Sequence, residues 1–318
     1  MQVPTQQVTL KALARVSHDE LAAILAGPPA RAAAWVAAAA HNGIVEAQAV
    51  YGQYLLDGHG VQRNAEEAFT WFTHAARQDH PMAMNMLGRC YEHGWGTAAC
   101  APVAVYWYRL AAHTGLDWGM YNYASALALG NGVECDRAQA LHWFRRAADL
   151  RHAKSLNFVG SFYEDGWEVD ADASIAMDYY RRAAEGGDFR GQFNYARLLA
   201  GHGEIHSALR WLRRVPHTAT AAFIEKMRTW LAASPVQAFR ALADEIKADV
   251  EADAKAGIEA DIEARAKADI KANAKAGSEA NAKAGSEANA KANLDANADV
   301  GNGTQFGAAM NPARESRA

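Results

Sequence analysis

An aromatic residue returns every 36 residues along most of this chain: Trp35, Trp71, Trp107, Trp143 and Tyr179 keep that spacing without slippage. Four of the five open an aromatic-aromatic-x-x-Ala-Ala pattern, in WFTHAA, WYRLAA, WFRRAA and YYRRAA. Gly58, Gly94, Gly130 and Gly166 form a second lattice of the same period. Gly52, Gly88, Ala124, Gly160 and Ala196 form a third. Three residue classes in phase at one period in this range mark a solenoid stacked from one supersecondary unit. Such a stack has no pocket at a sheet edge or barrel mouth, and its usual working part is an extended concave surface.

Residues 81–115 show the unit. Pro81 suits the first helical turn, where its missing N–H has no intrahelical partner. Ala83, Leu87, Gly88 and Tyr91 then follow as a helical stripe. The small residue at position 88 and its counterparts implies close approach of a neighbouring helix backbone. Gly94-Trp95-Gly96 ends this first helix, with glycine at the left-handed position after its C-terminus. Pro102 opens a second helix, whose stripe is Val105, Trp107, Tyr108, Ala111 and Ala112. We expect first helices near 46–56, 82–92, 118–129, 154–164 and 189–200. Second helices are expected near 65–78, 102–113, 136–148, 172–185 and 204–214. Trp211 arrives 32 residues after Tyr179, so the last unit has a shortened inner loop. At the front, Ser17 and Glu20 form a capping box. At the back, TATAAFIEKMRTWLAAS reads as an amphipathic capping helix. The expected fold is an all-α right-handed superhelical α-solenoid of about six helical hairpins with terminal capping helices. The expected boundaries are 1–28 for the front cap, 29–215 for the solenoid, 216–247 for the rear cap and 248–318 for a low-complexity tail.

The tail differs in composition. ANAKAGSE occurs at 272–279 and again at 280–287, and alanine falls at every fourth position from Ala248 to Ala296. Such a segment cannot bury a core, and we expect it to be largely disordered. Of the 36 acidic and 32 basic residues, 14 and 10 lie from Asp244 onward, which leaves 22 of each before it. The repeat body is therefore neutral and lacks the basic footprint of a nucleic-acid binder. No segment reaches the length of a membrane span, and the N-terminus has no signal-peptide core. Three cysteines without a CxxC spacing suit a reducing compartment, so the expected location is the cytoplasm. Each cysteine is expected to be buried or half-buried.

The combined pattern, carried by AMNMLGRCYEHGWG, YGQYLLDGHGV, LGNGVECDRAQALHWFRRAA and VGSFYEDGWEVDADASIAMDYYRRAA, resembles Sel1-like repeats, relatives of tetratricopeptide repeats. The resemblance spans roughly residues 29 to 215. Thr97 replaces the valine of G-x-G-V in one unit, and Glu168 replaces its second glycine in another. The paired cysteines that bridge hairpins in secreted members are missing here. The resemblance implies an adaptor that holds a protein or peptide, with the first helices lining the inner curve. Two columns then face inward: Ala49, Asn85, Tyr121, Asn157 and Phe193, and, four residues on, Gln53, Arg89, Ser125, Ser161 and Arg197. Asparagine can hold a peptide backbone and arginine a carboxylate. The expected partner-binding residues are Asn85, Arg89, Tyr121, Ser125, Asn157, Phe193 and Arg197.

No catalytic, cofactor or metal signature stands out. His202 and His206 lack a third ligand nearby. The G-x-G triplets follow helices rather than strands and read as helix caps. Glu164-Asp165 reads as a solvated helix end. The rival reading is an accessory or regulatory subunit of an enzyme, or an enzyme whose site spans several hairpins.

Overall fold

The computed structural model describes residues 8, 10–13, 15–252 and 255. The chain divides into two units, 1–243 and 244–318. In the first, α1 (Leu10–Leu13), α2 (His18–Leu25) and α3 (Pro29–His41) precede five hairpins. These are α4 (Val45–Asp57) with α5 (Ala65–Ala76), α6 (Pro81–His93) with α7 (Ala101–His113), and α8 (Asp117–Leu129) with α9 (Arg137–Asp149). Then come α10 (Ala153–Asp165) with α11 (Ala173–Glu185), and α12 (Phe189–Gly201) with α13 (Ile205–Leu212). A 3-10 turn (Val215–His217) leads to α14 (Ala221–Ala232), and residues 237–243 are helical. Among the described residues there is no strand. The first unit is an α-solenoid. Of the second unit, 244–252 and 255 are helical. The tail expected to be disordered over 248–318 otherwise lies outside the described residues.

Caps set the helix ends. The second helices begin one residue after Asn64, Asp136 and Asp172, whose side chains accept hydrogen bonds from Glu67 N, Gln139 N and Ile175 N. These residues satisfy backbone donors that an open helix N-terminus leaves unpaired. Cys100 holds the equivalent position in α7 and makes no side-chain cap. The capping box of α2 forms as expected from Ser17 and Glu20. Gly58, Gly94, Gly130 and Gly166 end the first helices in the left-handed region, with φ of 76°, 73°, 68° and 71°. The last hairpin turns in only three residues, 202–204, and its α13 is correspondingly short.

The packing ranks two rings that the sequence leaves equal, and it changes one expectation. Of each aromatic pair, the second member is the deeper anchor. Phe72, Tyr108, Phe144 and Tyr180 are 2% accessible or less, while Trp71, Trp107 and Tyr179 are half-buried and Trp143 is 5% accessible. A one-residue step on a helix turns the side chain by about 100°, enough to move it from the core to the seam. The small-residue column does not chiefly serve a neighbouring backbone. A Cβ on Gly52, Gly88 or Gly160 would lie 2.8, 2.5 or 2.7 Å from the ring of Phe72, Tyr108 or Tyr180. The glycine therefore makes room for the buried ring of its own hairpin.

Neighbouring units are keyed together by the second glycine of each G-x-G. Gly60, Gly96 and Gly132 have positive φ, and a Cβ there would collide with the backbone of Pro29, Ala65 and Ala101. Those are the first residues of α3, α5 and α7, the second helices of the preceding units. Glu168 takes the fourth such place with φ 57°, a left-handed conformation without glycine's freedom. The first helices also touch one another, α6 with α8 and α10 with α12.

Candidate functional site

The first helices α6, α8 and α10 share a depression of about 350 Å³. Its lining includes Asn85, Arg89 and Tyr121 from the two expected columns, together with Met82, Trp118 and Lys154. Met82 and Trp118 are exposed apolar side chains, 40% and 38% accessible. Arg89 lays its guanidinium 4.8 Å over the Trp95 ring, and among the described residues it makes no ion pair. Lys154 sits 5.0 Å over Trp118 and 5.7 Å over Tyr121. Burial raises the Tyr121 phenol above its usual range. The floor is thus aromatic and the cations lie across it. Ser125 lines an adjoining cavity of about 160 Å³ with Glu92, Tyr108, Tyr121 and Asn122.

Asn85 itself and the remaining expected residues, Asn157, Phe193 and Arg197, are engaged internally. Asn85 and Asn157 are only 3% and 5% accessible, not free on a solvated face. Asn122 Nδ2 donates to Asn85 Oδ1 at 2.8 Å, and Asn194 Nδ2 donates to Asn157 Oδ1 at 2.9 Å. Each pair joins the first helices of adjacent units, so these asparagines hold the stack together. Their polarity fits the general rule that buried polar groups are hydrogen-bonded. Phe193 packs edge-on against Phe223 and Trp230, at 5.6 and 5.3 Å, under the capping helix α14.

Arg197 is also paired. Its Nη2 donates to both carboxylate oxygens of Glu164 at 2.6 Å, and Tyr180 Oη donates to Glu164 Oε2 at 2.8 Å. Glu164 is therefore not a solvated helix end. Burial alone raises its carboxyl, but the hydrogen bonds from Arg197 and Tyr180 outweigh this and hold it below the usual carboxylate range. Burial, with the bond to Glu164, pushes the Tyr180 hydroxyl well up.

The basic repeat period hides a second one of twice its length. Asn85 and Asn157, Asn122 and Asn194, Glu92 and Glu164, and Tyr108 and Tyr180 each match across every second unit. Midway between the members of these pairs stand Tyr121, Phe158, Ala128 and Phe144, respectively. Polar and apolar versions of the inter-unit joint thus alternate. Glu92, Trp118 and Lys154 are site residues that the single-period columns missed, and comparing each residue with its counterpart in the next unit but one exposes Glu92.

Other chemistry is sparse. Among the described residues, no group of three or more His, Cys, Asp and Glu side chains is placed to hold a metal ion. Cys90 is buried, and burial pushes its thiol up to about 12. Cys100 is half-buried. Cys135 is exposed, contrary to expectation, because it lies in the loop after Gly130 rather than on a helix stripe. Among the described residues no helix is long and apolar enough to cross a membrane.

The Sel1 repeat family model matches residues 45–80, 81–115, 119–152 and 153–188, which correspond to the hairpins α4/α5 to α10/α11. Sequence comparison with curated proteins gives no match. Among solved structures, a Sel1 repeat protein from Oxalobacter formigenes superposes with a TM-score of 0.62 at 23% identity, over 72% of this chain and 97% of that one. The protective antigen c5321 of uropathogenic Escherichia coli strains, which displays an SLR fold, superposes with a TM-score of 0.59 at 23% identity. That match covers 76% of this chain and 55% of c5321. At this identity the structural likeness carries the fold alone. The four matched repeats, in phase with the aromatic and glycine lattices, identify residues 45–188 as a run of Sel1 repeats.

Proposed function

We propose that the chain is a non-enzymatic adaptor that binds a protein or peptide partner along the face built by its first helices. Sel1 repeats typically form scaffolds for protein interaction, and the depression across α6, α8 and α10 supports that use here. Exposed Met82 and Trp118 beside Arg89 and Lys154 form the observation that carries the reading. Aromatic and arginine side chains are the types enriched where protein partners dock. Three free cysteines support a cytoplasmic location. Asn157, Phe193 and Arg197 act in this reading through the stack, by fixing α10, α12 and α14, rather than by touching the partner.

The test is affinity capture with the wild type and with an Arg89→Glu/Trp118→Ala variant whose circular dichroism is unchanged. The expected result is loss of the captured partner, with each substitution costing about 1 to 3 kcal/mol of binding. Undiminished capture by the folded variant would move the binding surface elsewhere, first to the loop edge carrying Trp95 and the exposed Trp167.

A further inference from the structure

Glu92 and Glu164 occupy equivalent places in every second unit, and their surroundings match closely. Each accepts a hydrogen bond from the tyrosine 16 residues on: Tyr180 Oη at 2.8 Å for Glu164, Tyr108 Oη at 2.7 Å for Glu92. Each stands beside an asparagine pair that joins two first helices. They differ in two positions. Three residues before the glutamate, Ser161 accepts from Tyr180 Oη at 3.1 Å in the later unit, where Arg89 lies over Trp95 in the earlier one. The facing first helix differs as well. Arg197 fills the place opposite Glu164, and Ser125 is its counterpart opposite Glu92. The small side chain leaves a cavity of about 160 Å³ lined by Glu92, Tyr108, Tyr121, Asn122 and Ser125. Among the described residues, no Lys or Arg lies within ion-pairing distance of Glu92; His93 Nε2 stands 3.6 Å away, and Arg89, which shares the larger depression, is laid over Trp95 instead. Ser125 Oγ is turned away to Tyr121 O. Glu92 also lines the larger depression beside Arg89, Trp118 and Lys154.

We infer that the Glu92 cavity is a subsite for an arginine side chain of the peptide or protein partner. The guanidinium would stand where Arg197 stands in the later unit, donating to the Glu92 carboxylate, whose other face Tyr108 already holds. The planar, multi-donor guanidinium fits a fixed carboxylate better than an ammonium does. The tyrosine bond fixes the carboxylate before the partner arrives. This assignment deepens the reading of the first-helix face as the binding surface and rests on it.

The probe is acetyl-Gly-Arg-Gly-amide, titrated calorimetrically against the full chain, with lysine and citrulline versions and free arginine for comparison. The expected result is saturable binding of the arginine tripeptide at least about tenfold tighter than the citrulline version, whose uncharged side chain cannot form the charge-assisted pair. Glu92→Gln should weaken binding about tenfold, and Ser125→Arg, which refills the cavity from within, should abolish it. Ser125→Arg should also raise the melting temperature in the wild type and not in the Glu92→Gln background. Absence of binding, binding equal in all three proteins, or equal binding of the citrulline version would overturn the assignment. Free arginine binding as tightly as the tripeptide would also overturn it, in favour of a small-molecule site. Partner capture that is lost in Arg89→Glu/Trp118→Ala but unchanged in Glu92→Gln and Ser125→Arg would overturn the arginine subsite while leaving the binding face in place.

Discussion

Phe72 and Trp71 are neighbours in sequence, yet only one of them is sealed in the core. The Phe72 ring occupies the space that Gly52 leaves open, whereas Trp71 lies at the seam beside His41 and Tyr51. Truncating a sealed ring loses its transfer free energy and leaves a cavity, while truncating a seam residue loses only part of each. Phe72→Ala is therefore expected to cost about 3–5 kcal/mol in urea unfolding. Trp107→Ala, at the equivalent seam position, should cost about 1–2 kcal/mol. Equal losses would show that the two rings of each pair share the core. The sequence identifies both rings as in phase with the repeat but does not rank them. The ranking depends on which glycine each ring meets across the hairpin, and that contact is non-local.

At the scale of the helix, capping is where units differ. Cys100 sits where Asn64, Asp136 and Asp172 cap their helices, so α7 starts without a side-chain acceptor. Cys100→Asp should supply it and raise stability by about 1 kcal/mol, read as an upward shift in melting temperature. No shift would mean that Pro102 already fixes the start of α7. His152 caps α10 through Nδ1, which accepts from Ser155 N at 3.3 Å, and so must be unprotonated there. Burial lowers its pKa; Asp117 opposes this and Lys154 adds to it. Because the folded value lies below the unfolded value of about 6.5, the unfolded chain takes up a proton first as pH falls. Stability should be flat above that unfolded value and decline as pH falls from it through the lower folded value. His152→Asn, which keeps a capping acceptor without a titrating ring, should flatten this part of the profile. Helix positions, their glycine ends and the shortened last loop are legible in the sequence, because caps and periods are local signals. The burial of Asn85 and Asn157 is not, because a polar residue just off an apolar stripe reads as solvated until its partner one unit away is known.

At the scale of the whole repeat body, the joints between successive units alternate in kind, and the proposed site follows from that alternation. Asn85–Asn122 and Asn157–Asn194 tie α6 to α8 and α10 to α12. Arg197 closes the second joint over Glu164, while Ser125 leaves the first joint open at Glu92. The depression and the open cavity therefore lie on the same first-helix face, among α6, α8 and α10. Of the seven residues expected to bind a partner, Asn85, Arg89, Tyr121 and Ser125 line these two spaces. Asn157, Phe193 and Arg197 are drawn into packing by neighbours outside their own repeat column. A column by itself records phase, not whether a later helix covers the position, as α14 covers Phe193. The claim that this face is the working surface is tested most directly by amide hydrogen exchange on the chain with and without its captured partner. Slowed exchange in α6 and α8, over residues 82–93 and 118–125, with α7 and α9 unchanged, is the result expected from a partner seated on the first helices. Protection confined to the second helices, or to the loops carrying Trp95 and Trp167, would contradict it.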